Sequence, residues 1–555
     1  MNIGSRFSQH SFAQIPNVNM ARSRFDRSFG VKDTFDFDFL VPFFCDEILP
    51  GDTCNLNVQA FVRLATQVKP VLDNMYLDFF FFFVPNRLVW DNWEKFNGAQ
   101  DDPGDSTDYL VPVVSLTGTQ KFQVGDIYDK FGLPTGVQNL NVNALPLRAY
   151  ALIYNDWFRD QNLVGSLAVP KGDGPDAVGQ YDLMKSAKKH DYFTSAQPWP
   201  QKGDTPTLPL GTSAPVYGEP LTSIIDGHVW QGINPSNVRK TGDAWILSSG
   251  ASIPNAIAGR AAGGLTDAGG LSYFSLGAKH DYDLLPDSKP PYADLAEGVG
   301  PTINQFRQAI MMQSLLELDA RGGTRYVEIL RAHFNVISPD ARLQRPEYLG
   351  GGSTPIVVTP VAQTSATGVS GGSTPAGSLS GVATTLTRHG FSQSFTEHGY
   401  VIGLLNVRAD LTYQQGIRRM WSRSTRYDFY FPAFAMLGEQ AVLNKEIYAV
   451  GIGGQDNAVF GYQERWAEYR YSPSEITGLF RSTSAGTLDY WHLAQRFTAL
   501  PTLNATFMQE NVPISRVLAA GSAANGAQFL LDSVFEITAA RPMPLYSVPG
   551  LIDHF

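Results

Sequence analysis

Five consecutive phenylalanines and a valine, Phe79 to Val84, lie between Asp78 and Pro85. Successive side chains of an extended segment point to opposite faces, so a strand with one wet face would leave several of these rings in water. The run therefore predicts a strand buried on both faces. Beyond Pro85 and Asn86 the spacing turns helical, with Val89, Trp93 and Phe96 on one face and Asp91, Glu94 and Lys95 elsewhere. A core strand feeding a short amphipathic helix is expected. Phe80, Phe81, Phe82, Trp90 and Trp93 are core or interface candidates, as are Trp157 and Trp421 further on.

A chain of 555 residues exceeds one ordinary core, which implies several domains or one core with large insertions. Aromatics at 12%, with 52 glycines and 35 prolines, favour a β-rich, turn-rich fold. Charged residues are only 17%, against about a quarter in ordinary soluble chains, so large partner interfaces are expected. The formal net charge of -10 excludes a surface devoted wholly to nucleic acid and leaves room for local basic patches. Cys45 and Cys54 are the only cysteines and are expected as free thiols in a reducing compartment. No apolar h-region opens the chain and no stretch approaches bilayer length, so neither secretion nor membrane insertion is expected.

Residues 1–32 read as a basic N-terminal arm, with Arg6, Arg22, Arg24, Arg27 and Lys32 opposed only by Asp26. Such a segment suits either a nucleic-acid backbone or a wrap around a neighbouring subunit. Residues 33–164 carry the first part of the core. There, TFDFDF places Phe35, Phe37 and Phe39 opposite Asp36 and Asp38, while NLNVQAFVRLA places Leu56, Val58, Ala60, Val62 and Leu64 on one side. The acidic loop 98–108 lacks the ordered oxygen pattern of a calcium loop. LPLRAYALIYNDWFRDQNL reads as an aromatic helix with Arg148, Asp156 and Asp160 toward its polar side. Residues 165–300, rich in Gly, Pro, Ser and Asp, read as a variable surface insertion. Residues 301–347 hold two helices capped by Thr302 and Thr324, the first with Ile303, Phe306 and Ile310 along one face. Residues 348–387 contain no charge and read as a loop or an arm over a partner. Residues 388–555 complete the core, with strand signals in GYVIGLLNVRADLTY, RYDFYFPAF, EIYAVGI, RWAEYRY and QFLLDSVFEITAA. Strands near both ends and no βαβ rhythm predict a mainly β chain, a single antiparallel jelly-roll β-sandwich with long inserted loops and a few helices.

No catalytic, cofactor-binding or metal-ligating set emerges. GIGGQD lacks phosphate-loop spacing, HExxH, CxxC and GxSxG are absent, and His389, Glu397 and His398 are too loosely spaced for a metal. The functional-looking cluster is IRRMWSRSTRYDFY, where Arg418, Arg419, Arg423 and Arg426 surround Trp421 and Tyr427. That mixture suits single-stranded nucleic acid, and it suits carboxylates across a subunit boundary equally well.

The blocks MYLDFFFFFVPNRLVWDNWEKFNG, LPLRAYALIYNDWFRDQNL, ARGGTRYVEILRAHFNVISPDARLQRPEYLGGGSTPI, HGYVIGLLNVRADLTYQQGIRRMWSR and GYQERWAEYRYSPSEITGLFRS resemble, in order, the major capsid proteins of microviruses, the gokushovirus branch in particular. The resemblance implies a jelly-roll subunit of a small T=1 icosahedral virion around circular single-stranded DNA, assembled in a bacterial cytoplasm. It further implies a threefold surface protrusion from the insertion and a host receptor for it. The acidic balance adds the expectation of a small basic DNA-binding protein among minor virion partners. The rival is a trimeric phage receptor-binding or glycan-binding β-sandwich, for which fibre-like repeats or a secretion signal would speak.

Overall fold

A computed structural model describes residues 22–206, 302–322, 328, 332–334, 344–365, 377–519 and 527–546, with the backbone alone of short strands between 216 and 293. Arg6 and Thr324 lie outside the described residues. The chain divides into two compact units, residues 1–202 with 317–555, and residues 203–316. Residues 165–202, read above as insertion, thus belong to the main unit. The smaller unit holds two-stranded antiparallel pairs such as Val238–Thr241 with Ala244–Leu247. Its helix starts at Ile303 under the expected cap, Thr302 Oγ1 accepting from Gln305 N at 3.2 Å.

In the main unit, nine antiparallel strands form one sheet that curls on itself. They are β1 (Ser23–Asp26), β2 (Phe29–Phe35), β3 (Val41–Ile48), β4 (Thr53–Leu64), β5 (Met75–Pro85), β6 (Glu347–Ala362), β7 (Leu379–Ser394), β8 (Gly399–Ala409) and, last in the chain, Phe529–Arg541. The last strand lies between β1/β2 and β4, β4 pairs with β7, and the order continues β6, β5, β8, β3. β6 changes partner midway, its first half on β5 and Val357–Ala362 on β7, and so turns the corner between two layers. The layers meet across one core, where Phe535 lies 5.4 Å from Phe43 and 5.0 Å from Phe44, and Phe81 lies 5.4 Å from Phe391. The expected antiparallel sandwich, assembled from distant parts of the chain, is what forms.

Period-two sequences form these strands for the reason anticipated. Leu56, Val58, Ala60, Val62 and Leu64 are all buried, as are Phe529, Leu531, Phe535 and Ile537, while Asp532 and Glu536 face solvent. β5 is buried on both faces. Phe79, Phe81 and Phe83 enter the sandwich core, whereas Phe82 and Val84 enter a second cluster with Trp90 and the helix α1 (Leu145–Ile153). Each buried ring contributes roughly 1.5–3 kcal/mol of apolar transfer.

Several expectations are corrected. The helix after Pro85 is two pieces, a 3-10 turn Asn86–Leu88 and one helical turn Trp93–Phe96, because Asp91 N leaves the ladder to donate to Lys171 O at 2.9 Å. Residues 23–35 are strands and not a free arm. The uncharged stretch 348–387 supplies most of two long strands. Its glycines allow close packing: a Cβ on Gly351 would stand 2.0 Å from Phe79 O. Its hydroxyls bond across the corner, as Thr354 Oγ1 with Thr387 Oγ1 at 2.7 Å. RYDFYFPAF, EIYAVGI and RWAEYRY are turns and short helices instead of strands. Asp428 caps the first, Glu446 accepts from Leu443 N at 2.9 Å in the second, and Trp466 at φ 69° breaks the third.

Two charges expected at the surface lie inside. Arg148 is fully buried, bonded to Asp176 through Nε at 2.8 Å and Nη2 at 2.6 Å, with Nη1 donating to Val89 O and Gly172 O. Asp38, at φ 75° between β2 and β3, is buried and accepts from Val512 N at 3.1 Å. Burial pushes its carboxyl up to about 6 although Lys185 and the Val512 N–H pull it down.

Asp176→Asn leaves the buried guanidinium without its counter-charge and is expected to cost about 3–5 kcal/mol in denaturant unfolding, most of it recovered by Arg148→Met with Asp176→Leu. A loss under about 1 kcal/mol would contradict the pairing. Asp38 keeps its proton in the folded chain after the unfolded chain has lost it. Its contribution is therefore fully present below the ordinary carboxylate range and is lost as pH rises through about 6. Asp38→Asn should gain in melting temperature relative to the unmodified chain between about pH 4 and about pH 6, and a constant difference would exclude this role.

Candidate assembly surface

After β8 the chain leaves the sandwich and runs through residues 417–437 as successive 3-10 turns, Arg419–Ser422, Arg426–Asp428 and Pro432–Phe434. Pro432 has no N–H for a ladder, and Asp428 turns back to accept from Thr425 N at 2.7 Å and Ser424 N at 3.0 Å. Those donors hold its carboxyl down at about 2. The turns leave large apolar side chains in solvent. Met436 is 97% exposed and Trp421 75%, with Tyr427, Phe429, Met420 and Leu437 each more than half exposed.

The arginines of this segment are engaged within the chain. Arg419 Nη1 donates to Glu446 Oε1 at 3.0 Å and to Ala441 O at 2.7 Å. Arg423 pairs with Glu468 at 3.1 Å and lies over the rings of Tyr469 at 4.4 Å and Phe429 at 5.5 Å. Arg418 pairs with Glu475, and Arg426 lies over Phe431 at 5.2 Å. Glu446 is buried, which pushes its carboxyl up while Arg419 pulls it down, and it also accepts from Tyr192 OH at 3.0 Å. Arg418, Arg419, Arg423, Glu446, Glu468 and Glu475 line a groove of about 570 Å³ whose walls include Ile417, Met420, Trp421 and Tyr469, while Arg426 lies outside it.

The N-terminal candidates sit elsewhere, Arg22 just before β1, Arg24 on it and Arg27 in the turn after it. Arg27 forms a bidentate pair with Asp46 at 2.5 and 2.9 Å. Arg22 donates to Thr53 Oγ1 at 3.2 Å and Arg24 to Thr538 Oγ1 at 3.4 Å, both exposed. Among the ring candidates, Phe81, Phe82 and Trp90 are core, with Trp90 Nε1 donating to Asp173 at 2.7 Å. Phe80 and Trp93 are half-buried. Trp157 is 40% exposed, donates to Pro346 O at 3.0 Å and carries Arg345 over its ring. Trp421 alone of these seven stands mostly in solvent.

His389, Glu397 and His398 have separate partners: Thr354 Oγ1 for His389, Arg87 for Glu397 and the ring of Trp93 for His398. Among the described residues no group of three or more His, Cys, Asp or Glu is placed to hold a metal ion, and no helix is long and apolar enough to cross a membrane. Both cysteines are free thiols. The groove's acids, Glu446, Glu468 and Glu475, were not anticipated. They come from later in the chain, and the one hint covers Glu468 and Glu475, which lie among Arg465 and Arg470 in RWAEYRYSPSE.

The family model described as "Capsid protein (F protein)" matches residues 13–551. Over 565 residues the chain is 53% identical to "Capsid protein VP1" of Bdellovibrio phage phiMH2K, covering all of both. Over 593 residues it is 44% identical to "Capsid protein VP1" of Chlamydia phage 1, covering 98% of each. It is also 35% identical to "Capsid protein VP1" of Spiroplasma virus 4, over 98% of this chain and 97% of that one.

Removing Glu468 strips Arg423 of its counter-charge and Arg419 of a neighbour. Glu468→Gln is expected to steepen the salt dependence of single-stranded DNA binding by about 0.7 in log–log slope, the value for one freed cation. An unchanged slope would mean that these arginines are not held in check by the groove's acids.

Proposed function

We propose, from the premise that this chain belongs to the capsid protein (F protein) family and is a major capsid structural protein of the virion, a physical account of how it assembles. Copies associate into a small T=1 icosahedral shell around circular single-stranded DNA, each copy built on a jelly roll and carrying no catalysis. The observation that supports this reading is the solvent-facing aromatic segment 417–437, whose arginines are largely neutralised from within. Such a surface offers apolar area without a demand for an external anion, which is what a second copy supplies. Closed symmetry then sums many modest contacts into a stable container.

The DNA is a different problem. With a net charge of -10 and Arg27, Arg418, Arg419 and Arg423 held by carboxylates, the chain leaves most phosphate neutralisation to counterions and a separate small basic protein. Arg22 and Arg24, whose side-chain hydrogen bonds go to the hydroxyls of Thr53 and Thr538, remain as genome contacts from this chain, joined by Arg6. The insertion supplies the surface for a host receptor, and assembly takes place in the bacterial cytoplasm.

Expressed alone and with co-encoded small proteins, the chain should give uniform closed particles by light scattering and electron microscopy of the same fraction. A monodisperse monomer or a free trimer under both conditions would overturn the shell reading in favour of a receptor-binding spike. Arg22→Ala with Arg24→Ala should lower DNA content per particle without altering particle size. Unaltered DNA content would remove the N-terminal arginines from the genome contact.

A further inference from the structure

The geometry points to a specific pairing within the assembly surface: Met436 and Leu437 of one copy seat in the groove walled by Ile417, Met420, Trp421 and Tyr469 of a second copy. This deepens the reading of the chain as a shell subunit and rests on it.

The projecting half is a rigid turn. Phe434 N donates to Phe431 O at 2.8 Å and Ala435 N to Pro432 O at 3.2 Å. The base is fixed from outside by Trp466 Nε1 on Phe434 O at 2.9 Å and Arg465 N on Gly438 O at 2.8 Å. Gly438 at φ 77° closes the turn, and Met436 stands 97% exposed at its apex. A large apolar side chain held out in water on a braced support has already lost backbone freedom, so docking it costs side-chain rotamer entropy and little further backbone entropy. Residues 429–438, FYFPAFAMLG, carry no charge.

The receiving half matches that chemistry. The groove of about 570 Å³ has apolar lips, and the carboxylates of Glu446, Glu468 and Glu475 are matched inside it by Arg419, Arg423 and Arg418. An occupant with its own charge would break one of those pairs, whereas an uncharged one leaves them intact. Methionine, unbranched and polarizable, fills such an irregular space well. Met436 and Leu437 are not among the groove's lining residues, so the contact joins two different patches, and where it runs head to tail it closes into a ring when the rotation allows.

The test uses paired cysteines in assembled shells. The native thiols stay silent, since burial pushes Cys45 up to about 12 and Cys54 up to about 11. Oxidation of Met436→Cys with Ile417→Cys should give a ladder of covalent multimers on a non-reducing gel, with neither single variant cross-linking. Met436→Asp should lower shell yield about tenfold, as loss of a buried interface anchor does, while Met436→Leu stays near the unmodified yield. Closed shells that yield no ladder, or dimers from Met436→Cys alone, overturn the pairing and leave the shell reading standing. Failure of the unmodified chain to form shells overturns the shell reading itself.

Discussion

Burial of β5 on both faces is the constraint from which the rest of the fold follows. One layer cannot cover two rows of rings. Phe79, Phe81 and Phe83 call for a second layer of the same curled sheet opposite, assembled from β4 and the last strand, while Phe82 and Val84 call for a separate layer, supplied by α1 and Trp90. β5 is also flanked by β6 and β8 at both edges, so no ladder group of this apolar strand is offered to another chain. Close approach of β6 depends on the bare backbone at Gly351, which ties a low-complexity stretch to the aromatic run.

With the sandwich closed, the largest exposed rings lie elsewhere. Segment 417–437 combines two properties that rarely coincide on a monomer, namely large exposed rings and arginines already paired. Charge neutralised from within lowers the penalty for desolvating the surface, because few guanidinium groups must leave water unpartnered when another subunit covers it. The same pairing weakens any claim of these residues on phosphate. Arginine and aromatic content alone therefore does not identify a nucleic-acid site. What the neighbouring carboxylates do decides it.

Strict period-two segments were legible in the sequence: β4, the last strand and the doubly buried β5 all form where their alternation or continuous apolarity predicts, because one or two faces must leave water. Residues 348–387 are ambiguous in the sequence, since their composition, Gly, Ser and Thr without charge, suits a loop and equally suits strands whose side chains meet other backbone at close range. The sequence places Arg148 on a wet face because its partner Asp176 comes from a Gly- and Pro-rich stretch with no apolar period of its own. The aromatic content of 426–434 suggests a strand, but Asp428 turns the chain by local hydrogen bonding and Pro432 offers no N–H to a ladder. In the assembly surface, the arginines and rings were readable, whereas the acids that neutralise them arrive through the fold.

Backbone hydrogen exchange of intact shells against dissociated subunits addresses most directly whether residues 417–437 form a contact between copies. The account predicts slowed exchange across Met420 to Leu437 in the shell, with β5 equally slow in both states because its protection comes from within the subunit. Equal exchange of residues 417–437 in shells and free subunits would contradict it and place assembly on another face.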